Sequence, residues 1–468
     1  MLLKKAEKMI KKKIINFFTE RNLILVIIFL SVVARLFYLK VPFIINVADG
    51  AGYVSMADLA LEGNWQSFLD DFTYRTPLYP LFIAFTKILF GKAFVIGLPL
   101  IQHVLGIIEA VLIFQIGKKV FNKWIGFAAG VLTGISAYPI YWEHNSMSDF
   151  FFSFMTVLTM YLFLRALSEN MTRDYLWVGV IYGFNLLTRP LLQYFFITFP
   201  FLIFLFRKNI KETLRKFLLI MIPALLIISP WFYQNLTRHR YFGFTPFLGV
   251  QLIVRGQKFI DFNSPLRAKE KAVYKQTMVD SGHNGQVAVA GWANLQTKLK
   301  YTPTQANQAL QEIAMEAIKN NFSQYLKETV DQAVVLISNN SAEYFFADID
   351  LDPKFRQQYY QKIINNDYWT IQHQKWTLKL TIKMAIFFIF AVFGMLMAVF
   401  KKNFKSFLFA LVTIYMLLVM AAIEEGTVTR YRIPLDPYIF IFTAYAVNIV
   451  IDLAKSINNK YDECLVKE

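Results

Sequence analysis

The chain has 468 residues, of which 56% are hydrophobic and 17% aromatic, and it carries a net charge of +17. Its apolar residues form separate blocks of about 17 to 25 residues, the length that crosses a bilayer, which excludes an ordinary soluble protein. Most Lys and Arg residues lie in short clusters between these blocks, as in cytoplasmic loops, so the charge requires no nucleic-acid partner. The lone Cys464 excludes an intrachain disulfide and a Cys-based metal site.

In chain order, the apolar blocks predict an all-α polytopic membrane protein with about ten transmembrane helices. The first block follows a basic stretch but contains Arg35 and has no small-residue cleavage pattern, so we interpret it as a retained span. All short basic loops then lie on the cytoplasmic side, together with both termini. The predicted spans are residues 22–40, 95–117, 124–142, 149–167, 175–188, 190–206, 217–234, 379–400, 406–423 and 436–454.

Two long segments are predicted outside the cell. Residues 41–94 form the first external loop, in which TPLYPLFIAFTKILFG (76–91) is too short to span comfortably and is typical of an interfacial helix. Residues 235–378 form a mainly helical insert, with helical spacing in 303–337 and a loop expected at 260–300. The predicted domains are a catalytic transmembrane module (1–234), the external insert (235–378) and C-terminal transmembrane helices with a cytoplasmic tail (379–468).

An acidic residue follows the first span. Asp49 lies beside Gly50 and Gly52, which permit close approach of backbone or substrate. A carboxylate at the membrane surface suits catalysis, although Asp and Gly are also common in solvated turns. Both interpretations stay open for Asp49 from its position alone.

The second external loop is very short and contains Glu143, His144 and Asp149. Short loops hold their side chains close to helix ends, so these groups can be directed at a site. Asp149 can instead serve only to stabilise the N-terminus of the next helix through the helix dipole. The single His near two acids leaves a divalent metal open, but it is a weak metal signature.

Four arginines lie on the predicted external side, against the usual distribution of positive charge. They are Arg75, Arg189, Arg430 and Arg432. Each can extend to ordinary headgroups, but four on one side favour binding of an anionic headgroup, with phosphate the natural ligand.

Six segments occur in the order found in a known family. They are Asp49 and Tyr53 with ALEGNW, YRTPLYPLFIAFTKILFG, SMSDFFFSFMTVL, LLTRP, SPWFYQNLTRHRYFGFTPFLG and TRYRIPLDPYIF. This pattern resembles the GT-C superfamily of membrane glycosyltransferases, in particular glycosyltransferase family 39, which includes protein O-mannosyltransferases and aminoarabinose transferases. The chain departs from many members by having Gly50 where they have a second acid, which weakens a metal-assisted mechanism.

The resemblance implies inverting transfer of a hexose or pentose from a polyprenyl-phosphate carrier to an external hydroxyl or phosphate. It implies that Asp49 acts as the base or as a group that orients the acceptor. The chemistry agrees, since a carboxylate can deprotonate the attacking hydroxyl and cations can stabilise the departing phosphate. We predict catalytic roles for Asp49 and Asp149. The sequence identifies no certain cofactor and leaves a divalent metal open. The predicted substrate-binding residues are Tyr53, Arg75, Glu143, His144, Arg189, Arg430, Tyr431 and Arg432.

The expected partners are a polyprenyl-phosphate-linked sugar, a lipid, glycan or protein acceptor, and the plasma (inner) membrane, with the site facing the extracytoplasmic side. A lipid-linked glycan transporter or flippase is the main alternative, and a non-catalytic scaffold is another. A transporter is expected to have charges near the midplane, whereas here Glu109 is the main charge inside a predicted span. A scaffold gives no reason for Asp49 and the arginines to share one side.

Overall fold

The computed structural model describes residues 19–39, 49–70, 75–281, 287–338, 371–423 and 429–465, and throughout these ranges the regular structure is helical. The basic N-terminus, residues 41–48 of the predicted first external loop and residues 339–370 of the insert lie outside them. The predicted all-α class is confirmed.

The N-terminal part of the chain builds most of the helical bundle. Its helices are α1 (Glu20–Tyr38), α2 (Asp49–Leu61), α3 (Trp65–Asp70), α4 (Leu78–Phe90), α5 (Phe94–Val120), α6 (Lys123–Ile135), α7 (Ala137–Glu143), α8 (Ser148–Glu169), α9 (Thr172–Thr188), α10 (Thr198–Arg207) and α11 (Ile210–His239). Short 3₁₀ turns at Gly91–Ala93, Pro190–Leu192 and Phe195–Ile197 join some of them.

The insert and the C-terminal part supply the remaining helices. They are α12 (Leu248–Gly256), α13 (Ala268–Asp280), α14 (Val287–Leu299), α15 (Pro303–Asn320), α16 (Phe322–Ser338), α17 (Ile371–Phe400), α18 (Phe404–Ile423) and α19 (Asp436–Leu465). Two further 3₁₀ turns occur, at Gln257–Phe259 and at Thr429–Arg432, the second directly before the last helix.

Among the described residues, six helical stretches are long and apolar enough to cross a membrane, or seven if α6 and α7, bent by 48° at their junction, form one span. Every predicted span overlaps a helix, but residues 190–206 are two 3₁₀ turns followed by the short α10. Helix α9 has only 17 residues. The count of about ten therefore stays a prediction.

Two pairs of helices pack closely against each other at glycine residues. A Cβ at Gly126 would overlap the carbonyl oxygen of Phe114, where α6 meets α5. A Cβ at Gly179 would overlap the carbonyl oxygen of Ile220, where α9 meets α11. Small residues at helix contacts are typical of membrane bundles, where close backbone packing replaces the hydrophobic drive available in water.

Large apolar side chains also face outward along the long helices. Phe29, Phe37, Leu226 and Ile389 are each more than half exposed. Such faces are unfavourable in water and suit lipid, so the chain is a multi-pass membrane protein.

The predicted interfacial segment is helix α4, which begins at Leu78 just after Pro77. It passes through the 3₁₀ turn at Gly91, where φ is +56°, into α5, and the two form one helical stretch of 43 residues. At about 1.5 Å per residue this stretch exceeds the thickness of a bilayer, so part of it must lie outside the hydrocarbon region.

The insert has its own apolar core. Helices α12 to α15 enclose Tyr274, Leu310 and Ile313, all fully buried. The prediction of a loop at 260–300 was wrong, because this range contains α13 and α14. Their buried faces are short and mixed with polar residues, which hides the helical period in the sequence. The helix predicted over 303–337 is broken at Asn321 into α15 and α16.

Candidate active site

Asp49 lies between two arginines. It is the first residue of α2, and its Oδ1 accepts a hydrogen bond from Arg75 Nη2 at 3.1 Å. Its Oδ2 accepts one from Arg430 Nη2 at 2.6 Å. Arg430 belongs to the 3₁₀ turn before the last helix, so the fold joins the first external loop to the C-terminal helices at this carboxylate.

Asp149 extends the same cluster. It is the second residue of α8, and its Oδ1 accepts a hydrogen bond from Arg189 Nη1 at 2.7 Å. Its Oδ2 lies 3.9 Å from Arg430 Nε, so Arg430 faces both carboxylates. Pro190 disfavours helical backbone at the residue before it, and Arg189 is extended (φ −151°, ψ 128°), which ends α9 and turns the side chain toward Asp149.

Two tyrosines frame the arginines. The Arg75 guanidinium lies over the Tyr53 ring at 4.8 Å from its centroid. Arg189 and Arg430 each lie 5.4 Å from the centroid of the Tyr431 ring. Aromatic faces stabilise nearby cations, so the rings help to fix the directions of all three guanidinium groups.

Ser148 belongs to the cluster and was not predicted. Its hydroxyl accepts a hydrogen bond from Arg189 Nε at 3.0 Å and lies 3.1 Å from the hydroxyl of Tyr53. Its place directly before Asp149 was the available signal, but a lone serine at a helix start is usually only a cap.

Gly52 provides the space for Arg75. A Cβ at this position would overlap Arg75 Nη1. The sequence suggested that the glycines allow backbone or substrate to approach, and at Gly52 the approaching group is the guanidinium that holds Asp49.

The cluster is open on the side of Asp49. The Asp149 side chain is fully buried, whereas that of Asp49 is 39% exposed. Burial raises the pKa of Asp49, but Arg430 and Arg75 outweigh this effect and hold the pKa below its usual range. Asp49 is therefore ionised at neutral pH.

The residues of the cluster do not fit a divalent metal. Both oxygens of Asp49 already accept from arginines, and three guanidinium groups repel a cation. Within the described ranges, no three His, Cys, Asp or Glu side chains are grouped as metal ligands. The chemistry proposed below uses only the chain's own groups.

Comparison with family models gives a match over part of the chain. Residues 74–233 match the family described as dolichyl-phosphate-mannose-protein mannosyltransferase. A comparison with curated proteins gave no match.

Comparison with solved structures gives proteins of similar fold. The archaeal oligosaccharyltransferase AglB from Archaeoglobus fulgidus, in complex with an inhibitory peptide and a dolichol-phosphate, is similar to the chain with a TM-score of 0.50 at 14% identity. The similarity covers 95% of this chain and 52% of AglB, so the chain spans about half the length of that protein.

The chain has a GT-C fold. The predicted resemblance to GT-C glycosyltransferases is confirmed. ArnT from Cupriavidus metallidurans, bound to undecaprenyl phosphate, is also similar, with a TM-score of 0.38 at 13% identity over 92% of this chain and 78% of ArnT.

Within this GT-C fold, three predicted substrate-binding residues lie outside the Asp49 cluster. Arg432 Nε lies 2.9 Å from Asp436 Oδ1, and its Nη1 donates to the carbonyl of Ile337 at 3.3 Å. Glu143 and His144 join a second buried cluster. The sequence placed all three near the external helix ends, but the direction of their side chains depends on packing.

Glu109, the charge inside a predicted span, is also buried. Its Oε1 accepts a hydrogen bond from Ser153 Oγ at 2.6 Å. A carboxylate enclosed by helices in this way gives no direct support for a transport path.

Proposed function

We propose that the chain transfers a sugar from a polyprenyl-monophosphate carrier to an acceptor hydroxyl on the extracytoplasmic side, with inversion at the anomeric carbon. The observation that carries this proposal is the position of Asp49 between Arg75 and Arg430. A carboxylate and several guanidinium groups in one cluster supply the base and the cations that such a transfer needs.

In the proposed reaction, Asp49 acts as general base. The acceptor oxygen forms a bond to the anomeric carbon, and the bond from that carbon to the phosphate oxygen breaks. The electron pair stays with the phosphate, and the hydroxyl proton passes to Asp49. Attack opposite the leaving group inverts the anomeric carbon. Asp149 holds Arg189 and Arg430 in place, and Arg430 binds the departing phosphate.

The charges favour a monophosphate carrier. Arg75, Arg189 and Arg430 carry three positive charges, and Asp49 and Asp149 carry two negative ones, which leaves one net positive charge. A sugar linked through one phosphate brings one negative charge and neutralises the cluster, whereas a diphosphate brings about one more. Dolichol-phosphate in AglB is a carrier of the same chemical kind.

Arg430 links donor binding to the base. In the structure Arg430 bonds to Asp49, and its Nε has no hydrogen-bond partner among the described residues. An arriving phosphate competes with Asp49 for this guanidinium. When Arg430 turns to the phosphate, Asp49 loses part of the charge that lowers its pKa and becomes a stronger base.

We therefore expect the acid limb of the pH profile to depend on Arg75. Since Asp49 acts while ionised, kcat/KM falls as pH drops through its pKa, which the arginines hold low. Arg75→Gln removes one positive charge, raises the pKa of Asp49 and moves this fall to higher pH. The measurement is kcat/KM from about pH 7 to about pH 3.

The matched control for this profile is Lys87→Gln. Lys87, on α4, pairs with Asp58 at 2.5 Å. Asp58 is on the same helix as Asp49, but the pair lies outside the cluster. Its profile should match that of the wild type. An Arg75→Gln profile that also matches the wild type would show that Asp49 is not the group that titrates.

The location can be tested by cysteine labelling. We predict that the insert is extracytoplasmic and that Cys464 is cytoplasmic. Lys298 is exposed on α14, so Lys298→Cys in a Cys464→Ser background should react with an impermeant maleimide on intact cells. The wild type, with Cys464, should react only after permeabilisation. Labelling of Lys298→Cys only after permeabilisation would contradict the topology and place the cluster on the wrong side.

The function itself can be tested with the purified protein in vesicles. The substrates are radiolabelled polyprenyl-phosphate sugars, beginning with the mannose form that the family match suggests, and the acceptor source is an envelope fraction from cells lacking the gene. Release of free polyprenyl phosphate with labelling of the envelope fraction supports the proposal. Movement of intact donor between leaflets without release would instead favour a flippase.

A further inference from the structure

A second buried cluster lies next to the candidate site and plays no part in the proposed reaction. Arg35 Nε and Nη2 donate to the two carboxylate oxygens of Glu143 at 2.9 and 2.6 Å. His103 Nδ1 bonds to the same carboxylate, and His103 Nε2 lies 2.9 Å from His144 Nε2. All four side chains belong to residues that are at most 5% exposed.

The cluster is closed to substrate. Both oxygens of Glu143 are occupied, and its side chain is fully buried. The remaining Arg35 nitrogen, Nη1, donates to the carbonyls of Ser31 and Gly134 at 3.1 and 2.9 Å. Buried charges are kept only where partners satisfy them, and a cluster with matched partners holds its members in fixed directions.

Glu143 also starts the segment that leads to the candidate site. It ends α7, and after a loop of four residues (144–147) Ser148 begins α8. Gln102 Nε2 donates to the carbonyls of Glu143 and Asn145 at 2.7 and 3.3 Å. All residues from 143 to 150 are buried. Helices α1 and α5 therefore hold this loop through both its side chains and its backbone.

Tyr79 connects the loop to the candidate site on the other side. Its hydroxyl donates to the carbonyl of Asn145 at 3.5 Å, and its ring lies 5.1 Å from that of Tyr53 in an edge contact. The Tyr53 hydroxyl in turn contacts Ser148 Oγ. A shift of the loop would therefore move Ser148 and Asp149 relative to Tyr53 and the arginines.

We propose that Glu143, clamped by Arg35 and His103, is a positioning residue that fixes the loop before α8 so that Asp149 meets Arg189 and Arg430. This inference rests on the proposed function. It assigns Glu143 a role without substrate contact, in place of the substrate-binding role that the sequence suggested. A displacement of about 1 Å at a reacting group can cost about 10²-fold in rate, so a loop held this firmly has a direct effect on turnover.

The test is Glu143→Gln, which keeps the size of the side chain but removes the charge that Arg35 and His103 hold. With the polyprenyl-phosphate sugar that the wild type consumes in the vesicle assay, kcat per folded enzyme should fall by about 10-fold to 100-fold. KM for the donor should change by less than about threefold, because the arginines that meet the phosphate remain. If Glu143→Gln does not fold, His103→Gln is judged by the same measurements.

The matched control is Asp174→Asn in the first turn of α9, where Asp174 pairs with the last part of α8. Asp174 is also fully buried and paired with an arginine, Arg165. This variant should lower thermal stability to a similar extent but leave kcat per folded enzyme unchanged. It separates loss of a buried ion pair from loss of position at the site.

A double-mutant cycle with Asp149→Asn decides whether Glu143 acts through Asp149. If it does, Glu143→Gln should reduce kcat much less in the Asp149→Asn background than in the wild type. The inference would be overturned if Glu143→Gln reduced kcat by the same factor in both backgrounds, or if folded Glu143→Gln had the kcat of the wild type. Either result would leave the proposed function intact. If the wild type releases no polyprenyl phosphate from any donor, the proposed function fails and this inference fails with it.

Discussion

Asp49→Asn should reduce turnover by about 10² to 10⁴, the contribution usual for a positioned general base. The amide keeps the shape of the side chain, and its oxygen can still accept a hydrogen bond from one of the two arginines, so the protein should remain folded and inserted in membranes. Binding of the donor should survive or tighten, because a negative charge beside the phosphate is removed. The measurements are kcat and donor affinity of the purified variant in vesicles.

The control for Asp49 is Asp58→Asn on the same helix. Asp58 is about half exposed and pairs with Lys87, and exposed pairs of this kind contribute about 0 to 1 kcal/mol. Its turnover should stay close to that of the wild type. If Asp49→Asn transfers sugar at the wild-type rate, the proposed mechanism is wrong and Asp149 becomes the next candidate for the base.

Arg430→Ala should weaken use of the donor by about one to two orders of magnitude. A charge-assisted hydrogen bond contributes about 1.5 to 3 kcal/mol, and Arg430 is the guanidinium that faces both carboxylates. Arg430→Lys should restore only part of this loss, because an ammonium keeps the charge but not the planar pair of donors. The donor affinity and kcat/KM of the three proteins check the prediction.

Arg432→Ala is the comparison that separates the two neighbouring arginines. Arg432 is 3% exposed and paired with Asp436, so its removal leaves a buried carboxylate without its cation. Breaking such a pair typically costs about 3 to 5 kcal/mol, which should appear as a lower melting temperature. If folded Arg432→Ala bound the donor more weakly while Arg430→Ala bound it as the wild type does, phosphate binding would be assigned to Arg432 instead of Arg430.

The sequence by itself predicted the helices of the bundle because their signals are local. Apolar blocks of bilayer length mark the long helices, and Pro77 and Pro190 mark helix ends since proline restricts the residue before it. It also indicated the external ends of the helices as the place of the site. Seven of the side chains named there lie in one cluster, namely Asp49, Tyr53, Arg75, Asp149, Arg189, Arg430 and Tyr431.

Only the tertiary structure decided which side chains meet. Arg430 and Arg432 are two residues apart in a 3₁₀ turn of about three residues per turn, so their directions differ by about 120° around the axis. Arg430 points toward Asp49 and Arg432 toward Asp436. Glu143 and Asp149 lie on either side of the same short loop, yet Arg35 and His103, on two different helices, hold Glu143 away from the cluster. Local patterns define where helices end, whereas the direction of a side chain at that end depends on partners up to 381 residues away in the chain.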